Sequence, residues 1–206
     1  LNNLTYQWLH SEDYSMLKYS VGHFADFYRG LKNIAELLEG VELPPAIQLY
    51  IDRINGILRE EPMQRLADSE KGKKFSNRQN LYFGYHLRGR YKSNTLELID
   101  IYSRLDAWYS MAVAVKTYGL SFPEFVEQDT ALVDAKGLYH ILLSKPVAYD
   151  MQMNPEHNFL FLTGANMAGK STLIKAVGSA VFLAHVGMGV PAQNLKLTLF
   201  DGLLSN

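Results

Sequence analysis

The run Gly164-Ala165-Asn166-Met167-Ala168-Gly169-Lys170-Ser171-Thr172 constrains this chain more than any other feature. Two glycines with four residues between them, followed by Lys and then Ser, make the spacing of a phosphate-binding loop. That spacing needs a strand before it and a helix after it. Phe159-Leu160-Phe161-Leu162-Thr163 is a short apolar run of buried-strand type that ends at Gly164. Downstream, Leu173, Ile174, Ala176, Val177, Ala180, Val181 and Leu183 keep the apolar face of a helix. The expectation is strand, glycine-containing loop, helix.

The residue types fit the chemistry of a nucleotide phosphate. Backbone N–H groups of such a loop and of the following helix point inward and surround an anion. Gly164 and Gly169 permit backbone angles and close approaches that a Cβ would obstruct. Lys170 is expected to place its ammonium between the β- and γ-phosphates of ATP, and Ser171 to offer its hydroxyl to Mg²⁺, which takes most of its other ligands from water and phosphate oxygens. Residues 164–172 together are the expected cofactor-binding set, with Ser171 the metal-side residue. The alternative is a glycine-rich strand-to-helix turn that binds nothing, but such a turn would need neither Lys170 nor Ser171.

Composition narrows the setting. The 206 residues suffice for one large domain or two small ones, and a hydrophobic share of 48% is ordinary for a globular protein. A formal net charge of −1 gives no bulk attraction to nucleic acid or membrane. With zero cysteines, disulfides and thiolate metal sites are excluded, in keeping with a cytoplasmic location. No apolar run is long enough for a membrane span. The first residue is Leu1 rather than Met, so the chain is expected to belong to something longer.

Two parts separate by pattern. From about Asn3 to Gly119 the periodicity is helical, and residues 1–120 are read as a region of long antiparallel helices that pack together or form a rigid arm. Leu17, Val21, Phe24, Tyr28 and Leu31 recur at helical spacing; Pro44 and Pro45 open a second helix with Ile47, Ile51, Ile54 and Leu58 on one face. The strongest helix is expected over Asn94–Tyr118, stopping at Gly119. Leu98, Ile101, Leu105, Trp108, Ala112 and Val115 form a continuous seam along it, and Asp100 and Arg104 an i,i+4 pair outside it. Between these helices, residues 71–92 carry seven basic and no acidic residues, interleaved with Phe75, Tyr82, Phe83, Tyr85 and Tyr91. That segment reads either as a strip that tracks a phosphate backbone or as a solvated loop and helix whose rings face the core. Residues 121–206 read differently, as strands at Ala131–Val133, Val147–Tyr149, Phe159–Thr163 and Leu195–Phe200, with a turn at Asn154–Asn158. An antiparallel edge beside a parallel core is expected, and an apolar edge prone to self-association or disorder near Leu195–Asn206.

Beyond its generic spacing, the loop Thr163-Gly-Ala-Asn-Met-Ala-Gly-Lys-Ser-Thr172 resembles that of the MutS family of DNA mismatch-repair ATPases, which typically reads T-G-P-N-M-G/A-G-K-S-T. Val186-Gly187-Met188-Gly189-Val190-Pro191-Ala192 looks like the family's helix end and Val-Pro-Ala segment. Gly137-Leu138-Tyr139-His140 looks like its Gly-x-His-Pro region, although Ile141 stands where the family has Pro. His140 therefore keeps two readings, a nucleotide contact or a histidine satisfied at a strand edge. Leu105-Asp106-Ala107 with Phe122-Pro123-Glu124 resembles the last lever helix and its exit.

The resemblance implies an α+α/β chain, with a helical lever region over 1–120 and the N-terminal half of a P-loop ATPase domain over 121–206. It implies ATP and Mg²⁺ as cofactors, DNA (mismatched or branched) as a partner of the full-length protein, and a homodimer formed through ATPase domains. No second apolar strand ending in Asp-Glu follows Ser171; Leu197–Phe200 leads into Asp201 but then Gly202. ATPase activity is thus expected of the full-length protein and nucleotide binding at most of this stretch, with no catalytic residue assigned. Alternatives are a MutS-like paralogue acting outside mismatch repair and a structural module with a vestigial nucleotide site.

Overall fold

Long amphipathic runs place the helices where their caps and glycines allow. The computed structural model describes residues 11–204, so the helical reading of residues 3–10 lies outside the described residues. The chain divides into two compact units, Leu1–Asp106 and Ala107–Asn206.

The first unit is helical: α1 (Ser11–Leu37), α2 (Pro45–Leu58), α3 (Glu61–Ala67), α4 (Asn77–Arg88) and the first half of α5 (Lys92–Tyr118). Pro45 and Pro62 sit at helix starts, where the missing N–H is no loss. Helix α4 begins with a capping box, in which Ser76 Oγ accepts from Gln79 N–H and Gln79 Oε1 from Ser76 N–H. The expected stripe of α1 is buried at Leu17, Val21, Tyr28 and Leu31. It packs with Ile51, Ile54 and Ile57 of α2, Met63 and Leu66 of α3, Phe83 and Leu87 of α4, and Leu98 and Ile101 of α5. Gly84 lets α4 approach α1 closely, since a Cβ there would meet Leu17 Cγ at 2.9 Å. Asp100 and Arg104 form the expected ion pair at 2.8 Å.

One polar chain crosses this core. Thr95 Oγ1 donates to the Tyr91 carbonyl (2.9 Å), which leaves its lone pairs to accept from the Tyr28 hydroxyl (2.7 Å). Tyr28 is fully buried, and burial pushes its phenol up to about 12. The unfolded chain releases that proton near the ordinary value of 10.0, whereas the folded chain holds it until about 12. Between those values the unfolded state binds fewer protons, so stability falls as pH rises. We predict a loss of roughly 2–3 kcal/mol from this group across that window. Tyr28→Phe should cost about 1 kcal/mol at neutral pH and flatten the alkaline decline, as read by denaturant unfolding at stepped pH. Parallel declines in both proteins would refute it.

In residues 71–92 most rings face protein, while the basic side chains are exposed. Phe83 and Tyr91 are buried, Phe75 packs edge-on against Phe83 at 5.3 Å, and the Tyr82 hydroxyl donates to Glu61 Oε2 at 2.7 Å. Arg65, on α3, lies over the rings of Tyr82 and Phe83. Most rings of this segment are thus engaged by protein, while Tyr85 stays exposed.

The seam expected along the whole of α5 is only partly buried. Leu98 and Ile101 are in the core, Leu105 is half-buried, and Trp108, Tyr109, Ala112 and Val113 are exposed. Helical spacing specifies a face but not whether another element covers it. Helix α5 ends as expected at Gly119, whose φ of +63° allows the Leu120 N–H to reach the Val115 carbonyl at 3.0 Å.

The second unit holds the end of α5, the strands β1 (Glu124–Phe125), β2 (Val133–Leu138), β3 (Tyr149–Met153) and β4 (Asn194–Leu197), and α6 (Lys170–His185). The sheet order is β1-β4-β2-β3. β4 pairs antiparallel with β2 and β2 with β3, while the two-residue β1 runs parallel to β4. Antiparallel pairing is present, but β3 pairs with β2 rather than across the Asn154–Asn158 turn, and the expected parallel core is not found among the described residues beyond the short β1–β4 pairing. The apolar edge expected over Leu195–Asn206 is corrected at its start, whereas Leu199, Leu203 and Leu204 are exposed and residues 205–206 lie outside the described residues. Leu195 and Leu197 are buried because β4 lies between β1 and β2 rather than at a margin. Helices with a small mixed sheet make the chain α+β. Among the described residues no helix is long and apolar enough to cross a membrane.

Candidate functional site

The stretch before the loop is not a strand. Phe159–Thr163 joins no ladder among the described residues, and Phe159 and Phe161 are 80% and 77% exposed. The expectation rested on apolarity, whereas a strand also needs a neighbour to take its N–H and C=O groups. The turn expected at Asn154–Asn158 would join β3 to this run, but β3 pairs with β2 instead. The turn at Asn154 does form, with Asn154 Oδ1 accepting from the N–H groups of Glu156 (3.0 Å) and His157 (2.8 Å).

The loop has an unusual backbone. Gly164, Met167 and Gly169 have φ of +148°, +64° and +89°. Only Met167 among the described non-glycine residues has positive φ, a conformation that costs an L-residue about 1–2 kcal/mol. Its side chain is fully exposed, so no packing holds it there. Left-handed residues alternating with right-handed ones turn successive N–H groups toward one side, the geometry of an anion-binding nest. Ala168 N–H donates back to the Ala165 carbonyl at 3.2 Å and tightens the turn.

Helix α6 starts directly from this loop. Gly169 caps it without any side-chain acceptor, and its first intrahelical bond runs from Leu173 N–H to the Gly169 carbonyl at 2.9 Å. Its first turn holds no acidic residue and begins instead with Lys170. A positive side chain beside the positive end of a helix dipole is unfavourable by itself, and an anion reverses the sign. Lys170 Nζ donates to the carbonyls of Gly164 and Ala165, both at 2.7 Å, so its ammonium lies over the loop's opening residues. Ser171 Oγ has no hydrogen-bond partner among the described residues. Ala165, Asn166, Ala168 and Ser171 are exposed, and Thr172 is half-buried.

The far end of α6 is held by contacts that periodicity did not signal. Gly187 takes φ +77° and Met188 N–H reaches the Leu183 carbonyl at 2.9 Å. His185 Nδ1 lies 2.8 Å from the Val181 carbonyl, and Nε2 accepts from Phe200 N–H at 2.9 Å. Both contacts are satisfied by one neutral tautomer, with its proton on Nδ1. Beyond the helix, Val190 and Ser121 exchange backbone bonds of 2.7 and 3.1 Å. At Gly189 a Cβ would lie 2.8 Å from Val115 Cγ2, so glycine is required. His140 follows β2, and its Nδ1 accepts from Leu142 N–H at 3.2 Å, the satisfied-histidine reading. Asp201 is exposed in a bend.

Together these features define an α+β unit in which a left-handed loop and an uncapped helix start present free N–H groups beside a lysine. Residues 160–206 match the family model described as MutS domain V. The DNA mismatch repair protein MutS of Thermosipho melanesiensis is 33% identical over 100 residues, 48% of this chain and 12% of that protein. MutS protein homolog 5 of Caenorhabditis elegans is 30% identical over 120 residues, 55% of this chain and 9% of that protein. The DNA-binding protein MutS2 of Pyrococcus furiosus is 30% identical over 109 residues, 50% of this chain and 19% of that protein. The chain is thus similar to MutS proteins over about half of its length, and the matches span less than a fifth of each of these relatives.

Proposed function

We propose that residues 164–172 bind the phosphates of ATP with Mg²⁺, in a MutS-like protein of DNA mismatch repair or a related process. One observation carries this reading: an uncapped helix that starts on Lys170 directly after a loop with left-handed turns at Met167 and Gly169. No structural need is met by that combination, and an anion answers each part of it. The residues suit the group. The N–H groups of Gly169 to Thr172 precede the first intrahelical bond and are available to phosphate oxygens. Lys170 supplies the positive charge, and Ser171 the hydroxyl for a magnesium ion that would neutralise phosphate charge. In this reading residues 1–120 are a helical lever region and residues 121–206 belong to an ATPase domain, with nucleotide binding coupled to DNA binding and to pairing of two ATPase domains. The relatives named for mismatch repair and for DNA binding support that direction. The match to the MutS2 protein and to MutS homolog 5 favours keeping a second reading, a paralogue whose DNA substrate is not a mismatch.

Calorimetric titration of Mg·ATP and Mg·ADP into the chain is the test. Saturable binding of both supports the reading, and absence of binding overturns it. Mismatched, branched and fully paired duplexes, compared in the presence of nucleotide, separate the two DNA readings.

A further inference from the structure

Tyr149 reaches the loop from outside it. It opens β3, opposite Leu138, where a register irregularity separates Ala135 from Leu138. Gly137 within this irregularity takes φ +60° and donates its N–H to Asp150 Oδ1 at 2.8 Å. That bond fixes the start of β3 and with it the direction in which the neighbouring Tyr149 leaves the strand. The phenolic oxygen of Tyr149 lies 3.4 Å from the point that a Cβ on Gly169 would occupy. It therefore flanks the residue that caps α6 and precedes Lys170. Among the described residues this hydroxyl has no hydrogen-bond partner, although the ring is half-buried. With no protein acceptor and a helix start rich in donors beside it, this hydroxyl is free to turn its O–H to an anion bound there.

We propose that Tyr149 is a positioning residue of the phosphate site, donating its O–H to a phosphate oxygen of the bound nucleoside di- or triphosphate. The inference rests on the nucleotide reading of residues 164–172 and adds to it a side chain from a different strand. A phenolic O–H contributes a directed donor without charge, complementing Lys170. Its role is phosphate recognition rather than base stacking, because the atom nearest the loop is the hydroxyl.

The test compares the full chain with Tyr149→Phe and Lys170→Ala, using Mg·ADP by calorimetry and inorganic pyrophosphate as a competitor. Phenylalanine keeps the ring and removes only the donor, so thermal unfolding without ligand should be unchanged. We expect Tyr149→Phe to weaken Mg·ADP and pyrophosphate alike, each by about tenfold. Affinities within about twofold of the parent, with Lys170→Ala clearly weakened, would overturn the role of Tyr149 and leave the nucleotide reading standing. A loss for Mg·ADP without a loss for pyrophosphate would place the hydroxyl on sugar or base and overturn the phosphate contact. No binding by the parent chain would overturn both.

Discussion

Lys170→Ala should weaken Mg·ATP binding by roughly 10–100-fold, the range of one or two charge-assisted hydrogen bonds. Lys170 is the single charged residue in the run 164–172. Without it, the phosphates would meet only backbone dipoles and uncharged side-chain donors such as the hydroxyls of Ser171, Thr172 and Tyr149. Two effects add in the alanine variant. The positive charge is lost, and so are the two 2.7 Å bonds that hold the ammonium across the carbonyls of Gly164 and Ala165. Lys170→Gln separates them, because glutamine keeps a donor but no charge. If charge dominates, the glutamine variant should sit close to alanine, and raising the salt should weaken the parent more than either variant. Affinity in Lys170→Ala within about twofold of the parent would mean that the loop holds no phosphate.

Legibility of this site in the sequence was uneven, for physical reasons. Glycine spacing predicted the loop because left-handed backbone is nearly confined to glycine, and Gly164 and Gly169 do take positive φ. Met167 could not be foreseen this way, since its residue type argues against the conformation that it adopts. The strand expected at Phe159–Thr163 failed because apolarity belongs to a residue, while strand pairing belongs to two segments. Contacts such as Tyr149 with Gly169, or His185 with Phe200, join positions whose local patterns carry no mark of each other. Only the register of β3 on β2 and the exit from α6 bring them together.

The helices were more legible because their signals are local. Pro44-Pro45 and Gly119 set helix ends near the expected residues, and the stripe of α1 is buried nearly as its spacing indicated. The Ser76-x-x-Gln79 cap at the start of α4 is a local signal of the same kind, set within a charge-biased stretch. At α5 the seam expected from Leu98 to Val115 is buried only at Leu98 and Ile101. Periodicity is preserved along the whole helix, but burial is not.

That difference along α5 gives the second large effect. Leu98→Ala should destabilise the first unit by about 2–5 kcal/mol, whereas Ile99→Ala should cost about 1 kcal/mol or less. Leu98 is 0% exposed, in a cluster with Tyr28, Ile54, Leu66 and Phe83, so its truncation removes apolar contacts and leaves a void that rigid neighbours cannot fill. Ile99 is 40% exposed, and water already covers much of what truncation would uncover. The two positions are adjacent on one helix and change propensity in the same direction, since alanine is the better helix former at both. Propensity therefore cannot explain a large difference, and burial can. Denaturant unfolding followed by circular dichroism reads both variants, with an unchanged m-value expected for a loss confined to the folded state. Equal losses at the two sites would mean that Leu98 does not anchor α5 in the core.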